Sequence, residues 1–246
     1  MLLPILLALL GAIVGSFLAT LVVRRPRGRS VAAGRSACDR CGRTLRAWEL
    51  VPLVSALAAR GRCGACGARI DPMHWRVELA CLAVGASAAL AAPWPAAGAG
   101  AVFGWLLVVL AALDVRHFWL PDRLTATLAL AGMGSAAVAP PDLFSRLVGG
   151  AAGYAGLWAV ARAYRATRGR DGMGGGDPKL FGAVGLWLGW RMLPAVLLVA
   201  ALVGLGWVLW RRVRGRDVAR DDALPFGALL AAAAYPAWVL MVSAGA

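Results

Sequence analysis

Only 15% of the 246 side chains are charged and 61% are hydrophobic, too few polar groups to clothe a globular surface of that size. With a mean hydropathy of +0.71, the chain reads as an all-α polytopic membrane protein. Its net charge of +14 does not call for a nucleic-acid partner, because the arginines crowd loops on one side of the apolar segments, as the positive-inside rule describes.

Met1–Val23 is uncharged and long enough to cross a hydrocarbon core of about 30 Å. Its basic residues come afterwards, at Arg24, Arg25, Arg27 and Arg29, which reads as a retained membrane helix with its N-terminus outside, not a cleaved signal. Gly11 and Gly15 offer a small-residue face for another helix. Residues 24–76 are the one long polar stretch, with twelve arginines and two Cys-x-x-Cys pairs, Cys38/Cys41 and Cys63/Cys66, 21 residues apart. That spacing predicts a structural tetrahedral zinc site of four thiolates, with no open coordination position. Two disulfides or a redox dithiol are the other readings, and a reducing cytoplasm disfavours the disulfides. A polar region of about fifty residues has little core and gains from such a staple. Cys81, in the following apolar segment, reads as a buried small hydrophobe.

The later apolar segments run over Val77–Ala92, Ala96–Leu113, Leu124–Ala139, Leu143–Tyr164, Pro178–Trp190, Leu193–Trp210 and Ala223–Ser243. With the first they predict about eight transmembrane helices and a small cytoplasmic zinc-binding domain between helices 1 and 2. Three parts follow: 1–23 as the first helix, 24–76 as the zinc domain and 77–246 as a seven-helix membrane domain. Alternation from an outside start puts 24 of the 26 basic residues on the cytoplasmic side, leaving Arg146 and Arg191.

Two acids stand at cytoplasmic mouths of these segments. Asp114 ends the third, and Asp177 follows the run Gly172-Met173-Gly174-Gly175-Gly176 and precedes Pro178. Carboxylates at membrane depth are costly and mark function. The glycines permit positive φ or a close backbone approach, and Pro178 at a first helical position places Asp177 at an N-cap. Two carboxylates at one depth can share a proton, so that one acts as a base on water while the other polarises a carbonyl. Helix capping, pairing of Asp114 with Arg116, and a proton relay in a transporter are the competing readings. Asp122, after Pro121, reads as an N-cap. His117 reads as an interfacial loop residue and His74 as structural.

In order along the chain stand Gly15-Ser16-Phe17-Leu18, the two cysteine pairs flanking Trp48-Glu49-Leu50-Val51-Pro52-Leu53-Val54-Ser55, Asp114 seven residues before Pro121-Asp122, Gly174-Gly175-Gly176-Asp177 with Lys179-Leu180, and Pro225-Phe226-Gly227. This constellation resembles the type IV prepilin peptidases, intramembrane aspartic proteases of the Gly-x-Gly-Asp type, over essentially the whole chain. The resemblance implies that Asp114 and Asp177 are the catalytic pair. The substrates it implies are prepilins and pseudopilins of pilus and type II secretion systems, cleaved after a glycine at the cytoplasmic face of the bacterial inner membrane. It also implies N-methylation of the new terminus with S-adenosylmethionine. Ala19, Ala47 and His74-Trp75 depart from the family's common Asn, Pro and Tyr-Pro. Glu49, Glu78 and Asp171 are candidate contacts for the basic leader. The alternatives are a proton-coupled transporter with a structural zinc loop, a zinc-domain scaffold without chemistry, and a presenilin-like protease acting on other membrane helices.

Overall fold

The computed structural model describes residues 2–28, 35–215 and 223–244. Arg29 and most of the charged stretch expected at 211–222 lie outside them. Among the described residues every regular element is helical. Four helices are long and apolar enough to cross a membrane: Leu2–Arg24, Ala96–His117, Gly176–Val213 and Phe226–Ala244. The chain divides into two compact units, Met1–Leu90 and Ala91–Ala246.

In the first unit, α1 (Leu2–Arg24) and α3 (Met73–Ala91) pack against each other, with the short α2 (Val54–Ala58) in the polar region between them. Glycine decides how close α1 and α3 come. A Cβ on Gly15 would fall 2.8 Å from the Glu78 Cα, and one on Gly85 would fall 2.0 Å from the Leu7 carbonyl oxygen. Gly15 thus serves the close helix approach expected of it. Cys81 lies in this interface, fully buried. α3 begins four residues before the apolar run, because Asp71 Oδ1 accepts the Met73 N–H at 3.0 Å and stops the first turn from fraying. His74 and Trp75 are therefore helical.

The second unit holds α4 (Ala96–His117), α5 (Asp122–Gly134), α6 (Leu143–Arg168), α7 (Gly176–Val213) and α8 (Phe226–Ala244). α6 starts where Asp142 caps it, its carboxylate accepting from the Ser145 N–H at 3.0 Å and the Ser145 hydroxyl at 2.6 Å. The segments predicted at 178–190 and 193–210 form one continuous element, α7, broken only at Gly189, whose φ of 69° and ψ of 174° are not helical. At that break the chain folds back. A Cβ on Gly153 of α6 would meet both the Phe181 carbonyl oxygen at 2.9 Å and Leu193 Cδ1 at 3.2 Å. In a straight helix those two residues stand about 18 Å apart. Gly149 likewise faces the Gly185 carbonyl at 2.6 Å and the Trp190 N–H nitrogen at 2.7 Å, so α6 lies between both arms of α7. Gly189 performs the reversal that the sequence placed at residues 191–192.

Arg146, one of the two basic residues outside the cytoplasmic set, is fully buried. Its guanidinium donates to the carbonyls of Pro141, Gly132, Leu186, Ala139 and Pro140 and to the Ser135 hydroxyl, at 2.7 to 2.9 Å. It thereby ties the end of α5, the α5–α6 turn and the first arm of α7 into one corner. It breaks the charge rule because it works as a core residue, not as a loop anchor.

Candidate active site

Asp114 sits inside α4, one turn before the helix ends, and is 5% exposed. The helix runs on to His117, beyond the end predicted at Leu113. It stops where Phe118 turns left-handed, with φ of 49°, and returns its N–H to the Asp114 carbonyl. The Asp114 carboxylate accepts the Ala228 N–H at 2.8 Å, so its described partner is the first turn of α8.

Asp177 lies in the first turn of α7 and is 6% exposed. The N-cap is Gly175, not Asp177. The Asp177 carboxylate reaches back to accept the Gly174 N–H at 3.1 Å, while its own N–H donates to the Gly174 carbonyl at 3.2 Å. The glycine run serves close approach, not left-handed backbone: none of 172, 174, 175 and 176 has a positive φ. A Cβ on Gly172 would meet the Tyr164 ring at 2.5 Å, and one on Gly176 would meet Leu120 Cβ at 2.8 Å.

The two carboxyls meet at Gly227. A Cβ built there would fall 3.0 Å from Asp114 Oδ2 and 3.2 Å from Asp177 Oδ1, so the two oxygens lie within about 6 Å of each other, a range over which two carboxyls act on one another. Three elements far apart in sequence supply this pocket: the end of α4, the start of α7 and the start of α8. Leu120 walls it, its Cδ1 2.8 Å from the same built position. Asp122 stands apart. Pro121 is the N-cap of α5, and the Asp122 carboxylate pairs with Lys179 Nζ at 2.7 Å, so the expected capping role is replaced by a bridge between α5 and α7. His117 ends α4, its Nε2 buried without a hydrogen-bond partner.

The four sulfurs of Cys38, Cys41, Cys63 and Cys66 lie within 4.8 Å of one another, and all four cysteines are free thiols. The Cys38 and Cys66 sulfurs are 3.9 Å apart, close to the roughly 3.8 Å edge of a tetrahedron of sulfurs around zinc. The two halves are built alike. Cys38 N donates to Arg43 O and Gly42 N to Cys38 O; Cys63 N donates to Ala68 O and Gly67 N to Cys63 O. Gly42 and Gly67 take φ of 72° and 65°, where a side chain would be strained. The Cys66 and Ala65 N–H groups bring the Cys63 thiol down to about 6. Despite the Ala68 N–H, desolvation and the neighbouring sulfurs push Cys66 up to about 11. Four sulfurs this close cannot all ionise without a cation among them, and the cluster can hold a metal ion.

The three candidate leader contacts are each engaged by the chain itself. Glu49 pairs with Arg43 and accepts the Arg46 N–H, and the Arg43 guanidinium holds its carboxyl below the usual range. Glu78 is buried and accepts the Leu53 N–H at 2.8 Å, pinning a residue with a strained φ of 61°. Asp171 pairs with Arg165. A cleft of about 310 Å³ beside α3 is lined by Arg60, Arg62, Arg69, His74 and Trp75. Its three arginines suit an anionic group.

Helices long enough to span a bilayer, a carboxyl pair between three of them and a separate four-thiol cluster define a multi-pass membrane protein of the aspartyl-pair class. The chain belongs to the type IV leader peptidase family. Residues 101–209 match the family model of that name, and residues 9–92 match the bacterial peptidase A24 N-terminal domain. It is 41% identical over 214 residues to a prepilin leader peptidase/N-methyltransferase of Burkholderia pseudomallei, covering 84% of this chain and 67% of the relative. A protein of the same name from Stutzerimonas stutzeri is 37% identical over 210 residues, 82% and 70% of the two chains. Another, from Pseudomonas aeruginosa, is 34% identical over 259 residues, 92% and 87%. No solved structure matches the chain significantly.

Proposed function

We propose that the chain is an aspartic endopeptidase that removes the basic leader of prepilins and pseudopilins after a glycine, with Asp114 and Asp177 as its catalytic pair, and that it N-methylates the new terminus. The observation that carries this is the convergence of the two acids on Gly227 in a chain of the leader peptidase family. The proposed setting is a bacterial inner membrane crossed by about eight helices, α7 counting as two around its fold at Gly189. The cysteine region and the carboxyl pair face the cytoplasm, and the three parts keep the bounds 1–23, 24–76 and 77–246. Membership of this family gives the transporter reading no support.

The chemistry follows from two carboxyls sharing a proton. The ionised one takes a proton from water as the water oxygen attacks the carbonyl carbon of the glycine. The protonated one gives its proton to the carbonyl oxygen. The tetrahedral intermediate then collapses: its C–N bond breaks, the nitrogen takes a proton from the first carboxyl, and the second carboxyl takes back a hydroxyl proton as the C=O re-forms. The leader leaves with a carboxyl terminus and the pilin with a free amine. S-adenosylmethionine, when bound, supplies a methyl group to that amine. With Glu49, Glu78 and Asp171 already engaged, leader charge is not the main recognition term. The substrate's apolar helix, lying in the bilayer at the depth of the pair, is.

Cys38, Cys41, Cys63 and Cys66 would hold a structural Zn²⁺, because thiolate-only sites of this spacing favour zinc and leave no open position. Purified protein is expected to carry about one zinc per chain, lost on Cys63→Ser. Elemental analysis of both proteins checks this, and unchanged zinc in the variant would remove the assignment.

The function is tested by mass spectrometry of a prepilin incubated with the purified protein. Loss of the leader after the glycine is expected, followed by a gain of about 14 Da, one added methyl group, when S-adenosylmethionine is present. A panel of prepilins left uncut by protein of full zinc content would overturn the peptidase reading.

A further inference from the structure

α8 is rich in alanine, with Ala228 and Ala231 to Ala234 in its first two turns, yet its second residue is Gly227, buried between both acids. Glycine is a poor helix residue beside alanine, and alanine is what this helix otherwise uses, so a specific constraint excludes the methyl group. The place that methyl would take is 3.0 Å from Asp114 Oδ2 and 3.2 Å from Asp177 Oδ1. Both are tighter than ordinary contact, so a methyl would press the two carboxyls apart. A methyl there would touch both oxygens and bond neither. The Ala228 N–H meanwhile holds Asp114 Oδ2 at 2.8 Å, at a helix N-terminus that favours negative charge.

Resting on the reading of Asp114 and Asp177 as the catalytic pair, we infer that Gly227 is a positioning residue of the peptidase. Its missing side chain lets the Asp114 and Asp177 carboxyls converge on the first turn of α8, whose Ala228 N–H orients Asp114. Pro225-Phe226-Gly227 then belongs to the active site as much as the two aspartate motifs do.

A packing role is the rival explanation, since Leu120 Cδ1 also lies 2.8 Å from the built Cβ of Gly227. Gly176 is the internal control. The three atoms nearest a Cβ there all belong to Leu120, its Cβ at 2.8 Å, Cδ1 at 3.2 Å and Cγ at 3.5 Å. The experiment compares Gly176→Ala and Gly227→Ala, each alone and with Leu120→Ala, by prepilin cleavage kinetics and thermal unfolding. Shortening Leu120 removes its Cγ and Cδ1 contacts and is expected to restore Gly176→Ala in part, the Cβ contact at 2.8 Å remaining. Gly227→Ala is expected to lose about 100-fold or more in kcat, with KM within about threefold, and to stay impaired with Leu120 shortened although the protein folds. Restoration of Gly227→Ala by Leu120→Ala would assign the glycine to packing and overturn the inference. So would a Gly227→Ala chain that unfolds even in the Leu120→Ala background. Asp177→Asn, run alongside, separates the two claims: full cleavage by it would sink the aspartyl reading itself, whereas its inactivity with a rescued Gly227→Ala would sink only the inference.

Discussion

Asp177→Asn is expected to abolish leader removal while leaving the protein folded. Asn keeps the shape of the carboxylate, and its oxygen can still accept the Gly174 N–H, so the short link at the start of α7 survives. What it cannot do is gain or give the proton that passes between water, substrate and the pair. General acid–base groups supply roughly 10² to 10⁴-fold each, so single-turnover cleavage is expected to fall by at least that range. Asp114→Asn should fall as far, its bond from the Ala228 N–H likewise preserved. The two losses should not multiply in the double variant, because the acids act as a unit. Thermal unfolding and zinc content close to those of the parent would locate the loss in chemistry. Equal cleavage by parent and variants would remove the aspartyl mechanism.

Arg146→Met carries the second large effect, on stability. All five guanidinium donors are spent on acceptors inside the protein. Methionine fills the volume but leaves up to five carbonyls short of a donor, each an unsatisfied buried group of about 1–3 kcal/mol. Rearrangement recovers part of this, and a net loss of about 3 kcal/mol or more is expected, which lowers Tm by roughly 6–12 °C in a chain of this length. Arg146→Lys should fall between, since three donors from one nitrogen cannot reach acceptors on both sides of a planar fork. A Tm for Arg146→Met within about 2 °C of the parent would show that the carbonyls find other donors.

Sequence alone revealed what depends on local pattern. The cysteine pairs announce a metal cluster because a thiolate needs only its turn and its partners. The two acids announce themselves because a carboxylate beside an apolar run is costly wherever the chain later puts it. Long-range geometry was hidden. Nothing near Gly227 says that it will sit between residues 113 and 50 positions upstream, and Arg146 reads as a stray charge in an apolar segment until five carbonyls surround it. Asp122 and Asp177 looked like helix caps because both precede helices. In the fold Asp122 finds Lys179 and Asp177 turns back to Gly174. The reversal within α7 was expected after Trp190, but its place at the single Gly189 was not, because the apolar pattern runs through that glycine unbroken.

A short helix beside the pocket sets the depth of the reaction. α5 has 13 residues, so it rises only about 20 Å against a hydrocarbon core of about 30 Å, while the first arm of α7, as short, is buried inside the protein. On the proposed topology, lipid against this flank must thin or tilt to match, at a cost of fractions of a kcal/mol per Å. The enzyme then carries a dent in the bilayer around its carboxyl pair. Water reaches the acids through that dent, and a pilin helix drifting in the membrane meets a locally shallower leaflet where its first residues are already lifted toward the aqueous face. Acyl-chain length in the host membrane becomes a determinant of turnover, acting through the length of α5 and not through any residue that touches the substrate.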